Sequence, residues 1–131
     1  MKLNLLEPNA HYDMANGKPS VFQKDNDGSY LYRYNIEQEM GIPDGDTKEV
    51  QVGWKCREVR AWNEPKKSEL KKVIIRSVLD ESAEFDIVNS YNKHVLGVNV
   101  NAQAVEDYKE YLQFTEELDA LLVNDFANEN K

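Results

Sequence analysis

Ser29-Tyr30-Leu31-Tyr32-Arg33-Tyr34-Asn35-Ile36-Glu37 is the most regular stretch of this chain. Tyr30, Tyr32, Tyr34 and Ile36 recur at every second position, with Leu31, Arg33 and Asn35 between them, and a period of two marks a strand. Asp25-Asn26-Asp27-Gly28 precedes it and reads as a tight turn, because Asp and Asn side chains bond their own backbone and Gly accepts positive φ. Residues 21–24 then form the strand on the far side of that turn. Downstream, residues 41–46 read as a loop, and Val50, Val52, Trp54 and Cys56 share one face of a further strand. The apolar parity changes at Val59 and Ala61, which predicts an inserted residue, a β-bulge, near Arg57-Glu58. The expectation is an N-terminal antiparallel β-meander over about residues 20–62. Residues 2–6 alternate and are expected as an edge strand, and residues 9–20 as a loop.

Beyond Asn63-Glu64-Pro65 the period changes to that of a helix. Pro65 is a start signal, since proline's missing N–H would be unpaired in a first turn anyway. Leu70, Val73, Ile74, Ser77 and Val78 follow one helix face, which predicts a helix over about 66–79. Lys66, Lys67, Lys71 and Lys72 crowd its positive end, where the macrodipole disfavours cations, so they are expected to meet acids elsewhere, on the last helix. A second helix is expected over about 82–96, with Phe85, Val88, Tyr91 and Val95 buried and Gly97 just past its end. A third follows Asn101, a good N-cap, over about 102–126. It carries seven acids (Glu106, Asp107, Glu110, Glu116, Glu117, Asp119, Asp125) against one base, Lys109. Tyr108, Leu112, Leu118, Leu122 and Phe126 line one side, and Tyr111, Phe114 and Leu121 widen it. The predicted fold class is α+β in a single domain, 1–131, with a mainly β part at 1–63 and a helical part at 64–131.

With 131 residues, 40% of them apolar, the chain has material for one ordinary domain. A formal net charge of −8 disfavours nucleic acid and anionic membranes as partners. One cysteine, Cys56, rules out an intramolecular disulfide and agrees with a reducing compartment. The apolar start is too short for a signal sequence, and no stretch approaches the ~20 apolar residues of a membrane span. Host cytoplasm at synthesis is the expected location.

The residues that carry chemistry are sparse. An EF-hand loop starting at Asp25 needs glycine sixth and glutamate twelfth, where this chain has Tyr30 and Ile36. His11, Asp13 and His94 are too scattered to read as a zinc set. No serine sits in a nucleophile elbow, and no glycine pattern cradles phosphate. No catalytic residue, cofactor or metal is therefore assigned, and no enzyme activity is expected. Partner-binding candidates are Tyr30, Tyr32, Tyr34 and Trp62, with Tyr111, Phe114 and Leu121 on the last helix. Aromatic side chains dominate both sheet cores and interface hot spots, so core and contact surface both stay open for the tyrosines.

Two groups of motifs carry a family resemblance. Residues 22–35 (Phe-Gln-Lys-Asp-Asn-Asp-Gly-Ser-Tyr-Leu-Tyr-Arg-Tyr-Asn) resemble the opening of small tail-region proteins of tailed phages and prophages. Residues 53–59, 70–77 and 83–92 are similar to small proteins of phages and prophages of gut bacteria, as is the closing helix with Tyr108, Tyr111 and Leu112. The resemblance implies a non-enzymatic virion or tail-assembly protein, bound to other virion and tail proteins, self-associating or present in several copies, and located in the virion. An acidic inhibitor that mimics DNA and occupies a basic host protein is the alternative that the charge of the last helix suggests.

Overall fold

The computed structural model describes residues 3–129, and their fold is α+β. Strands β1 (Ala10–Tyr12), β2 (Phe22–Lys24), β3 (Tyr30–Gly41) and β4 (Val50–Ala61) precede helices α1 (Lys67–Val78), α2 (Glu81–Val95) and α3 (Ala102–Glu129). The strands form one antiparallel sheet in the order β1-β4-β3-β2. The meander is thus β2, β3 and β4 as expected. The edge strand lies at Ala10–Tyr12, inside the expected loop, while residues 3–6 form no strand and Lys2 lies outside the described residues. Gly53 makes room for β1: a Cβ there would stand 2.3 Å from the Tyr12 carbonyl oxygen.

The turn before β3 is built as the sequence suggests. Gly28 has φ 86°, and the Asp27 carboxylate accepts from the Ser29 backbone N–H at 2.9 Å and its hydroxyl at 2.6 Å. These two bonds hold the Asp27 carboxyl below its usual range. The bulge, however, lies on β3 rather than at Arg57-Glu58. Tyr34 pairs with Arg57 and Glu37 with Lys55, so Asn35 and Ile36 together oppose Cys56. Asn35 takes the left-handed conformation, φ 52°, which Asn tolerates better than most side chains. Its amide donates to Glu37 at 2.7 Å and to the Leu6 carbonyl at 3.2 Å. Because β4 runs regularly past this point, its parity change is a change in which side carries apolar groups: Val59 and Ala61 join the tyrosine side, and Cys56 the other. The bulge also makes Glu37, not Ile36, continue that tyrosine side. A second irregularity follows between Glu39 and Met40.

The chain forms two units, residues 6–65 and residues 66–129 joined by residues 3–5, so the composition change at 63–65 marks a structural boundary. In the β unit, Phe22, Tyr32 and Tyr34 stack in series, with centroids 5.1 and 5.3 Å apart, and Tyr32 and Tyr34 are each 1% exposed. In the helical unit, Leu70, Ile74, Ile75, Ile87, Ala104, Phe114, Leu118 and Leu122 are buried. Lys71 finds the acid expected of it, Asp119 of α3, at 2.8 Å. Arg76 reaches Glu84 at 2.9 Å, and Tyr111 donates to the same carboxylate, tying all three helices at one point. The Leu3 N–H donates to Glu110 at 2.6 Å.

Capping explains the helix limits. Asp80 accepts from the Ala83 N–H at 2.7 Å at the start of α2, and Asn101 accepts from Gln103 N–H at 3.1 Å at the start of α3. The Val98 N–H bonds back to Lys93, closing α2. The expected α2 face is corrected: Ile87 is its buried residue, Val88 and Tyr91 are half-buried, and Phe85 and Val95 are exposed. Leu112 of α3 is likewise exposed, and Ser77 lies outside the buried face of α1. The last helix runs to Glu129, three residues past its expected end, while residues 130–131 lie outside the described residues. Among the described residues, no helix is long and apolar enough to cross a membrane.

Candidate functional site

One polar group from each strand lines up across the face of the sheet opposite the tyrosines: Tyr12 from β1, Glu58 from β4, Arg33 from β3 and Gln23 from β2. Arg33 and Glu58 are direct cross-strand partners, and Arg33 is only 3% exposed. Its Nε–H donates to the Tyr12 hydroxyl at 3.0 Å and to the Glu58 carboxylate at 3.2 Å. Its Nη1 donates to the Ser20 carbonyl at 3.1 Å and its Nη2 to Gln23 Oε1 at 2.7 Å. The guanidinium also stacks 4.9 Å from the centre of the Tyr12 ring. A buried charge is tolerated only when it is paired and hydrogen-bonded, and each of these contacts serves that end. Tyr12 in turn donates to Glu58; burial and this bond raise its phenol above the usual range. Cys56, on the same side, is fully buried, and desolvation pushes its thiol up to about 11, so it is a poor nucleophile.

A cavity of about 300 Å³ opens beside this row. Arg33, Tyr12 and Gln23 line it from the sheet, and the β1–β2 connection contributes Asp13, Asn16, Gly17, Lys18, Pro19 and Ser20. Asp13 accepts from the Ala15 N–H at 3.0 Å, which fixes the start of that connection.

The partner-binding candidates divide by burial. Tyr32, Tyr34 and Phe114 are buried in the core, which for the tyrosines is one of the two readings left open above. Tyr30, Tyr111 and Leu121 are half-buried. Trp62 alone of the seven is open, at 69% exposure. Other exposed apolar groups were not anticipated: Met40, Ile42, Val50 and Val52 at the turn end of the β3–β4 hairpin, and Val95, Leu96, Val98 and Val100 after α2. Val50 and Val52 share the alternation of Trp54 and Cys56 in the sequence, and only the register shows that β1 stops at Trp54, leaving the hairpin end two-stranded.

The histidines serve separate local contacts. His11 meets Glu39 at 2.6 Å, and His94 Nδ1 accepts from the Asn101 N–H at 2.9 Å. Asp25, the first residue of the rejected calcium loop, is bound by Arg60 at 2.8 Å. Among the described residues, no group of three His, Cys, Asp or Glu side chains is placed to hold a metal ion. Comparisons with protein-family models, curated proteins and solved structures return no match.

Proposed function

We propose that this chain is a non-enzymatic phage or prophage virion or tail-assembly protein that works through contacts with other virion proteins, in several copies. The supporting observations are separate exposed apolar groups, Trp62 and the hairpin-end Ile42 in the β unit and Leu96, Val98 and Val100 after α2 in the helical unit, all more than three-fifths exposed. Exposed apolar groups that follow closely along the chain, as at 96–100, favour a contact site, and tryptophan is prominent among interface hot spots. The resemblance of residues 22–35 to small tail-region proteins, and of residues 53–59 to small proteins of phages and prophages of gut bacteria, gives the reading its direction.

Co-sedimentation of the chain with purified particles, at a fixed copy number in their mass spectrum, is the expected result. Trp62→Ser and Leu96→Ser are expected to lower that copy number without altering the far-UV CD spectrum. Absence from particles, with both substitutions silent in assembly, would sink the proposal. The acidic-inhibitor reading makes the opposite prediction on salt: binding to a basic host protein would collapse between low and high ionic strength, whereas apolar association persists.

A further inference from the structure

We propose that the cavity beside the Arg33 row is a carboxylate-binding site, with the Arg33 guanidinium at its floor and the Lys18 ammonium at its rim. A guanidinium carries five N–H donors. Arg33 directs its Nε–H at Tyr12 and Glu58, one Nη1 donor at Ser20 and one Nη2 donor at Gln23. One N–H on each terminal nitrogen is left without an acceptor among the described residues. Water answers such donors in an open cavity, and a planar carboxylate, which presents two oxygens, can replace it.

Charge favours a ligand of low valence. The cavity lining holds Lys18 and Arg33 against the single acid Asp13, and Lys18 has no ion-pair partner among the described residues. Glu58 already pairs with Arg33, so these four charged groups sum to zero and the site is locally neutral in a chain whose net charge is −8. A monoanion adds one negative charge there and a phosphate dianion two, and the chain's acidic field penalises the second more. Asn16, Ser20 and Gln23 add neutral polar groups around the same space. At about 300 Å³ the volume is at the lower limit of ligand pockets, which suits a short carboxylic acid or the last residue of a peptide. Because Arg33 is already held by four groups, little ordering cost falls on binding.

The carboxylate can belong to a free acid or to the C-terminus of a partner chain, and one experiment separates them. The full chain, labelled with ¹⁵N, is titrated with sodium acetate, with a tetrapeptide ending in a free carboxylate, with its C-terminal amide, and with inorganic phosphate. The Arg33 Nε–H signal and the amides of residues 13–20 are followed. Saturable shifts of both sets with acetate or the free peptide are expected, and the tighter of the two identifies the source. Lys18→Ala is expected to weaken that binding about fivefold, as removal of a partly exposed charge pair does, while Lys72→Ala leaves it unchanged. Lys18 is exposed and makes no side-chain bond among the described residues, so its variant is expected to keep the fold. Three results would overturn the proposal: no saturable shift with either carboxylate, phosphate or the amidated peptide binding at least as tightly, or Lys18→Ala binding like the parent chain.

Discussion

The β unit and the helical unit use charge in opposite ways. In the β unit one cation, Arg33 of β3, is buried in the sheet and tied by four side-chain hydrogen bonds to groups of β1, β2, β4 and the β1–β2 connection, so that its removal would take a donor from Glu58, Tyr12, the Ser20 carbonyl and Gln23. In the helical unit the ion pairs Lys71–Asp119 and Arg76–Glu84 lie at the surface, above a core of Leu70, Ile74, Leu118 and Leu122. The difference teaches where each unit is vulnerable. A buried ion pair broken on one side costs several kcal/mol, whereas a surface pair contributes ~1 kcal/mol or less.

The contrast is open to direct attack, because Trp54 and Trp62 both belong to the β unit while all the helices belong to the other. Tryptophan fluorescence therefore reports one unit, and ellipticity at the helical minimum reports the other. The largest effect is expected from Arg33→Met, which should lower the stability seen by fluorescence in a urea titration by about 4 kcal/mol. A loss below ~1 kcal/mol would show that the polar row is dispensable. Leu118→Ala should cost about 3 kcal/mol on the helical signal, the usual consequence of emptying a fully buried leucine site. If either substitution shifts both signals equally, the two units unfold as one.

Alkaline pH sharpens the picture within the helices. Burial, then the hydrogen bond to Glu84, pushes the Tyr111 phenol up to about 12, against an ordinary 10.0. In the unfolded chain this proton leaves near pH 10, while the folded chain keeps it. The unfolded state then binds fewer protons, so the helical unit should lose stability as pH rises from about 10 to 12. Tyr111→Phe should flatten that part of the curve, and a phenolate absorbance at pH 10.5 from Tyr111 would contradict it. The smallest effect is expected from Lys71→Ala: its pair with Asp119 is partly exposed, and its loss should cost about 0.5 kcal/mol, vanishing in high salt.

What the sequence disclosed follows from which signals are local. The turn at Asp25–Gly28 and the caps at Asp80 and Asn101 are set within a few residues of chain, so their chemistry predicts them. The Tyr30, Tyr32, Tyr34 alternation likewise announces a strand, though not which side is covered. Burial on α2 was misplaced because Phe85, Val88, Tyr91 and Val95 form as good an apolar spacing as the face centred on Ile87. Only packing against another element chooses between them. The bulge was assigned to the wrong strand, yet Asn35 inside a run of tyrosines was its signal, since Asn visits the left-handed region readily. Strand β1 was invisible: three residues pair with β4 only because Gly53 lacks a side chain, a cause that lies more than forty positions away. Arg33 carries the same lesson, because four of its partners come from four separate segments.

The bond from Leu3 to Glu110 joins residues 107 positions apart and places the whole β unit as an insertion within the helical one. On a ribosome, residues 6–65 emerge complete while the acceptor for Leu3 is still unsynthesised. The sheet can therefore form early, and the clasp that closes the helical bundle must come last, a few seconds later at ordinary rates of elongation.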